Sequence, residues 1–334
     1  MDLVTQATVG AVAALCVAPK NLTVRAAVTG AIAGIAADLD TLLGSSSDPL
    51  QALEVHRHFT HSLAFIPFGA SLVTFVIWLA SLRKWSWHSI WWFALLGFST
   101  HGVLDACTSF GTHLLWPFSS ERTAWNIVSV LDPIFSLPLI GLCVTSVRQK
   151  RRRPAQLALT WGVFYLFLCF HQHNIAVAEQ ESLAASRGHI PERSVLKPSF
   201  GNNQLFRSVY EHQGIFYVDA IRIGWFSIPH IFTGSGIAKL NVDDVYPELA
   251  LPSKQKQSVD RFRHLTNDFL VLHPGEDFLL GDIRYALVPG SIRPLWGIQV
   301  NPNDLDSEIE FVQMRKPLPG ELSLFFRMLL DLEG

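Results

Sequence analysis

Residues 56–82 read HRHFTHSLAFIPFGASLVTFVIWLASL, a polar segment followed by twenty residues without a charge. A bilayer core about 30 Å thick is crossed by roughly 20 apolar residues in a helix. The stretch therefore predicts a membrane-spanning helix that carries three histidines and an arginine at one end. Ionisable groups at such a position are either functional or an interfacial cap whose polar tips reach water.

Five further apolar stretches accompany this one in the first half of the chain. Four contain no Asp, Glu, Lys or Arg, and the fifth is interrupted only by Asp132; they are Leu3–Pro19, Ala26–Ala37, Trp85–Leu104, Pro154–Ala178 and Ile127–Val147. Trp85–Leu104, Ile127–Val147 and the part Pro154–His171 of Pro154–Ala178 are long enough to span the membrane. Leu3–Pro19 and Ala26–Ala37 are short and rich in Ala and Gly, which favours close packing inside a bundle. Leu3–Pro19 lacks a basic start and a cleavage site, so we expect it to be retained.

The charged residues divide the chain into two parts. Only 20 of the 54 Asp, Glu, Lys and Arg residues lie in residues 1–180. We therefore predict an α-helical multi-pass membrane domain over residues 1–178 and a soluble α+β domain, mainly antiparallel, over residues 179–334. Within the second domain we expect two β-hairpins and two helices, which are Leu205–Tyr210 with Ile215–Ile223, Phe269–Leu272 with Phe278–Leu287, Ser258–Asn267 and Leu322–Leu332.

Net charge and cysteine content exclude several classes of protein. A formal net charge of -2 argues against nucleic acid as a partner, because phosphate neutralisation needs a concentrated basic surface. The four cysteines show no CxxC spacing and all lie in the apolar half, so we expect neither a disulfide framework nor a cysteine zinc site. The chain also lacks a Gly-rich phosphate loop and a Gly-x-Ser-x-Gly motif.

The positive charges between the apolar stretches predict the orientation of the chain in the membrane. Three basic groups fall in alternate connections, at Lys20 with Arg25, Arg83 with Lys84, and residues 148–153. If these groups are cytoplasmic, the helices alternate consistently and the C-terminal domain is extracytoplasmic. The same alternation places every unusual polar motif at the non-cytoplasmic helix ends. We therefore expect one composite site on that side of a bacterial inner membrane.

Two further motifs supply metal-ligand chemistry. His101 and Asp105 are four residues apart and share a helix face, which suits two ligands of one metal or a buried His–Asp hydrogen bond between helices. Asp38 and Asp40 follow an apolar stretch, where they could be ligands or a simple helix end. Imidazole and carboxylate ligands without thiolates favour a divalent metal, with Zn expected and Mn or Mg as alternatives.

The order of these motifs resembles the LexA-regulated inner-membrane metal-dependent hydrolase family, also called YdjM-like. The resemblance covers roughly residues 1–145 and rests on Thr5-Gln6, Asp38-Leu39-Asp40, His56-Arg57-x-x-Thr60-His61-Ser62, Thr100-His101-x-x-Leu104-Asp105, Gly111-x-x-Leu114-x-Trp116-Pro117 and Asp132-Pro133. It implies a bacterial multi-pass inner-membrane protein with metal-dependent hydrolase activity.

Site residues are carried over from the family position by position. The resemblance implies a metal site formed by Asp38, Asp40, His56, His61, His101 and Asp105. We predict catalytic roles for Asp40, for Arg57 as a clamp on an anionic group, and for Asp132 beside the site or at a second metal. Two positions depart from the family pattern, since His58 replaces a small residue and Gln6 replaces a histidine that could be a ligand.

These inferences predict a membrane-bound hydrolase that cleaves a phospholipid or another envelope-linked (phospho)ester with metal-activated water. Two other functions are open at this point. Intramembrane Asp and His residues also form proton relays, which would suit a proton-coupled transporter. A non-catalytic membrane scaffold would use the polar motifs only as helix ends.

Overall fold

A computed structural model describes residues 1–44, 48–225, 227–250 and 252–332. The chain divides into two compact units. The first contains Met1–Gly44, Glu54–Gln172 and Phe200–Asn203, and the second contains most of the remaining residues, including His173–Ser199.

Seven α-helices occur in the described part of residues 1–186. They are α1 (Leu3–Val17), α2 (Thr23–Ile35), α3 (Pro49–Val55), α4 (Ile66–Ala80), α5 (Trp87–Cys107), α6 (Pro133–Gln149) and α7 (Arg152–Ser186). Short 3-10 turns connect them, at Lys20–Leu22, Ala36–Leu43, Phe59–His61 and Leu63–Phe65. Each of the six apolar stretches overlaps one of these helices, which confirms a helical N-terminal region.

Glycines allow α1, α2 and α5 to approach closely. A Cβ atom at Gly10 would lie 2.3 Å from the Gly30 carbonyl oxygen, and one at Gly97 would lie 2.5 Å from that same oxygen. A Cβ atom at Gly34 would lie 2.6 Å from the carbonyl oxygen of Gln6. The expectation of close packing for the two Ala- and Gly-rich stretches is thus confirmed, because these contacts leave no room for a side chain.

Among the described residues, three helical segments are long and apolar enough to cross a membrane: Lys20–Leu43, Leu63–Ala80 and Arg152–Ser186. This set differs from the sequence expectation at three helices. The second apolar stretch is longer than expected, since 3-10 turns continue α2 on both sides. Neither α5 nor α6 belongs to the set; α5 carries His88, His101 and Asp105, and α6 has only 17 residues because it begins after Asp132.

The second unit contains two four-stranded antiparallel sheets, and in each sheet the strands are paired in the order in which they follow one another in the chain. The first sheet consists of β1 (Arg193–Pro198), β2 (Leu205–His212), β3 (Ile215–Arg222) and β4 (His230–Ala238). The helices α8 (Val242–Val245) and α9 (Lys254–Leu265) precede β5 (Leu270–Leu272), β6 (Leu279–Asp282), β7 (Trp296–Gln299), β8 (Glu310–Gln313) and α10 (Glu321–Leu330).

Both expected hairpins are present in these sheets. β2 pairs with β3 from Leu205 opposite Arg222 to His212 opposite Ile215, and β5 pairs with β6. The second hairpin is shorter than expected, because β6 ends at Asp282 instead of continuing to Leu287. The carboxylate of Asp282 binds the Arg284 guanidinium and accepts from its backbone nitrogen, which turns the chain away from the sheet.

Candidate metal centre

Three separate chain segments bring four potential ligands together in the first unit. Asp38 lies in the 3-10 turn that follows α2, His61 ends the 3-10 turn Phe59–His61, and His101 and Asp105 lie one turn apart on α5. One ligand atom from each residue lies within 4.8 Å of the others. His61, His101 and Asp105 are buried, whereas Asp38 is half-buried. We call these residues the four-residue group.

The two imidazoles meet at the centre of the four-residue group. His61 Nε2 lies 2.9 Å from His101 Nε2. Asp38 Oδ1 lies 3.3 Å from each of these nitrogens. Asp105 Oδ2 lies 3.5 Å from His61 Nε2 and 3.7 Å from His101 Nε2. Two nitrogens and two carboxylate oxygens therefore face one small volume, as the ligands of a single divalent ion do.

The other ring nitrogen of His101 determines its tautomer. Nδ1 lies 2.6 Å from the carbonyl oxygen of Gly34, which can only accept a hydrogen bond. The proton of a neutral His101 therefore lies on Nδ1. Its Nε2 is left with a lone pair directed at the centre of the group.

His61 is oriented in the same way through Thr60 and Asp40. The Thr60 hydroxyl donates to Asp40 Oδ2 at 2.7 Å, so its oxygen accepts from His61 Nδ1 at 3.0 Å. His61 Nδ1 also lies 3.3 Å from Asp40 Oδ2. Two neutral imidazoles would thus point lone pairs at each other across 2.9 Å, an arrangement that a proton or a metal ion between them relieves.

Asp105 supplies an oxygen with spare accepting capacity. Its Oδ1 accepts from Gln6 Nε2 at 2.9 Å and binds the amino nitrogen of Met1. Its Oδ2 is buried and accepts no hydrogen bond of good geometry from a described residue, although Arg57 Nε lies 3.1 Å away. A buried carboxylate oxygen in this state fits a metal ligand.

Neighbouring carboxylates favour positive charge at His61. Burial lowers the pKa of His61, but three neighbouring carboxylates outweigh burial and raise this pKa to about 10. The three acids are Asp105, Asp38 and Asp40. The electrostatic field that stabilises an imidazolium would also stabilise a divalent cation, so the charges and the donor atoms both fit a metal.

Asp40 and His56, predicted as ligands, lie next to the four-residue group but outside it. His56 Nδ1 donates to Asp40 Oδ1 at 2.8 Å, and the backbone nitrogen of Arg57 donates to Asp40 Oδ2 at 3.0 Å. Both oxygens of Asp40 are thus occupied by the segment that carries His61. This arrangement orients His61, as carboxylates behind metal-bound histidines do. Thr60 also orients His61, a role that its position in the sequence between Arg57 and His61 did not indicate.

Arg57, predicted as an anion clamp, is buried against the group. Besides Asp105, it contacts Thr108, whose Oγ1 accepts from Nη1 at 3.2 Å, and its guanidinium carbon lies 5.4 Å from the centre of the Phe110 ring. The backbone of Arg57 has a positive φ of 65°, which turns the chain sharply between His56 and His58. No described residue accepts from its Nη2, so this edge of the guanidinium is left for a ligand.

Asp132 is not brought into the four-residue group. Its Oδ1 accepts from the backbone nitrogens of Ile134 and Phe135 at the start of α6, and its Oδ2 accepts from the Tyr165 hydroxyl at 2.8 Å. These contacts explain an isolated acid in an apolar stretch as a helix N-cap. Two other histidines of the first unit, His58 and His113, contact each other with ring centres 4.6 Å apart.

A cavity of about 860 Å³ adjoins the four-residue group, since Asp38 belongs to both. Asp40, His56, Arg57 and Thr60 also line it. Most of the other lining side chains are apolar and come from the two spanning segments around α2 and α4. The candidate metal centre is therefore accessible to a ligand with a substantial apolar part.

Comparison with known families agrees with these observations. The model of the YdjM inner membrane protein family matches residues 1–176. No curated protein and no solved structure matches the chain. The family match extends over more than half of the 334 residues and includes the whole four-residue group. The chain therefore belongs to the YdjM inner membrane protein family.

Proposed function

We propose that this protein is a membrane-bound metal-dependent hydrolase that cleaves a phospholipid or another envelope-linked (phospho)ester at the extracytoplasmic face of the inner membrane. The main support is the pair His61 and His101, whose Nε2 atoms share one volume while hydrogen bonds occupy both Nδ1 atoms. A proton shared by the two Nε2 atoms would satisfy the pair alone, but two carboxylate oxygens also face this volume and complete a set of four donors for one divalent ion.

Two imidazoles and two carboxylates favour zinc, with manganese or magnesium as alternatives. When bound, such an ion lowers the barrier to attack by water on a phosphoryl or acyl group. His61, His101, Asp38 and Asp105 would hold it. Asp40 and Thr60 would keep His61 in the required tautomer.

The remaining polar groups support cleavage of a phosphate ester. Asp38 is half-buried and lines the cavity, so its second oxygen can accept a proton from the attacking water. Arg57 also lines the cavity, and a guanidinium pairs well with phosphate oxygens. Asp40 is a weaker candidate for the general base than the sequence predicts, because both of its oxygens already accept hydrogen bonds.

Metal analysis of the full chain tests the metal part of this proposal. Protein purified in detergent should contain at least about half an equivalent of a divalent metal, because a site with several ligands binds tightly. His101→Gln should lose the metal. His88→Gln, which changes an exposed histidine on the same helix, should retain it. Metal-free protein whose thermal stability is unchanged by added zinc, manganese or magnesium would exclude the site.

Hydrolysis is tested separately on phospholipid vesicles by the release of a phosphorylated or free head group. We expect release that a chelator abolishes and that added metal restores. Protein that retains its metal and cleaves none of the tested lipids or phosphoesters would refute the hydrolase proposal and favour a scaffold.

A further inference from the structure

We propose that the cavity next to the four-residue group binds one hydrocarbon chain of a membrane lipid. The proposal names the substrate class of the proposed hydrolase and rests on it for the bond that reacts. Binding of the chain can nevertheless be measured without any hydrolysis.

The polar lining of the cavity comes from different segments of the protein than most of its apolar lining. Its polar side chains come from two short segments, residues 38–41 and 56–60, and are Asp38, Asp40, Thr41, His56, Arg57 and Thr60. Elsewhere the lining is apolar and includes Ile32, Phe65, Val73 and Phe98. A water-soluble phosphoester would leave this apolar surface uncovered, whereas a lipid would place its ester at the polar end and its chain along the rest.

The apolar lining belongs to segments that can themselves contact lipid. Ile32 lies in the spanning segment Lys20–Leu43, and Leu72 and Val76 lie in Leu63–Ala80. These three side chains are 42%, 63% and 56% exposed, so they form part of the outer apolar surface as well as the cavity wall. The hydrocarbon chain of a lipid could therefore enter the cavity from the bilayer without leaving an apolar environment.

The size of the cavity agrees with such a ligand. Its volume of about 860 Å³ lies in the upper part of the range of roughly 300–1,000 Å³ found for sites that bury a small molecule. Gly69 lets the Phe98 ring pack directly against α4, because a Cβ atom there would lie 2.3 Å from the ring, and both residues line the cavity. Since the wall carries no charge on the side of α4, the occupant it fits is a hydrocarbon chain rather than a peptide or a sugar.

Photo-crosslinking tests this inference with the full chain in lipid nanodiscs. The probe is a phospholipid that carries a diazirine near the end of one acyl chain, and adducts are mapped by mass spectrometry. We expect adducts to concentrate on the cavity-lining residues of α2 and α4. The double variant Leu72→Trp with Val76→Trp should lower them by about tenfold, the effect of excluding two methylene groups from an apolar site.

The control is Leu79→Trp, which introduces a tryptophan at a 42% exposed position of α4 that does not line the cavity. Its adducts should match those of the unmodified chain. The contrary result is a set of adducts that spread evenly over all exposed apolar helix faces and are unaffected by the double variant. This result would overturn the hydrocarbon-chain site, even if the protein hydrolyses lipids. Adducts in the cavity of a protein without hydrolytic activity would support the site and reject only the proposed reaction.

Discussion

His61 Nε2 lies 2.9 Å from His101 Nε2, although 40 residues separate the two histidines in the chain. Each ring is held by its other nitrogen, His101 through the Gly34 carbonyl and His61 through Thr60. The pair is therefore oriented before any ligand binds. Histidines that bind metals show the same hydrogen bonding at the nitrogen that does not face the ion.

The first prediction concerns the interdependence of the four-residue group. Asp38→Asn, His61→Gln and His101→Gln nearly conserve volume and remove ligand atoms. If they share one ion, any single change should abolish most metal binding and activity, and a second should add little, because groups acting as a unit are not additive. Metal content and turnover of the single and double variants test this. Losses of stability that add to within about 0.5 kcal/mol, with unchanged metal, would show independent structural roles.

The second prediction concerns Thr60, which determines the tautomer of His61. Thr60→Val keeps the shape of the side chain but removes the hydroxyl that accepts from His61 Nδ1 and donates to Asp40. Loss of such an orienting contact should weaken metal affinity by about 10- to 100-fold. Competition with a fluorescent chelator measures the affinity. Thr145→Val, in which the hydroxyl donates only to a helix carbonyl, should leave it unchanged. Equal affinities in both variants would contradict the assigned role.

The third prediction connects helix packing with the metal centre. A Cβ atom at Gly30 would lie 2.4 Å from the Gly10 carbonyl oxygen and 2.7 Å from the Ala14 Cβ. Gly30→Ala should therefore destabilise the fold by about 1–3 kcal/mol and displace the next turn, where the Gly34 carbonyl binds His101. Thermal unfolding and metal content should both fall.

Gly141→Ala is the matched control, since a Cβ atom there would meet nothing within 4 Å. It should keep its metal and gain up to about 1 kcal/mol of stability from the better helix propensity of alanine. Equal losses in Gly30→Ala and Gly141→Ala would mean that close packing is not what the glycine provides.

The fourth prediction concerns the orientation in the membrane. Basic groups at Lys20 with Arg25, at Arg83 with Lys84, and at residues 148–153 predict that the C-terminus is extracytoplasmic. Alkaline phosphatase fused to the C-terminus should be active, and green fluorescent protein at the same position should remain dark. The reverse result would place the four-residue group on the cytoplasmic side and exclude an extracytoplasmic substrate.

The amino-acid sequence by itself determined the elements of the fold. Charge-free stretches bounded by Lys and Arg predicted the helices, because burying a charge in a membrane is costly whatever the neighbouring helices are. The hairpin of β2 and β3 was expected from two strand-like segments joined by residues 211–214. The sequence also supplied all four members of the four-residue group within the six predicted ligands.

Only the tertiary structure decided which of those six residues face the centre of the site and which orient the others. Asp38 and Asp40 are two positions apart and chemically identical, yet one faces His101 and the other orients His61. Asp132 interrupts one apolar stretch and Asp105 directly follows another, yet one caps a helix and the other faces the histidines. The physical reason is that ligand distances depend on how closely α1, α2 and α5 approach. That approach is set by glycine contacts between residues far apart in the chain, which local sequence patterns do not contain.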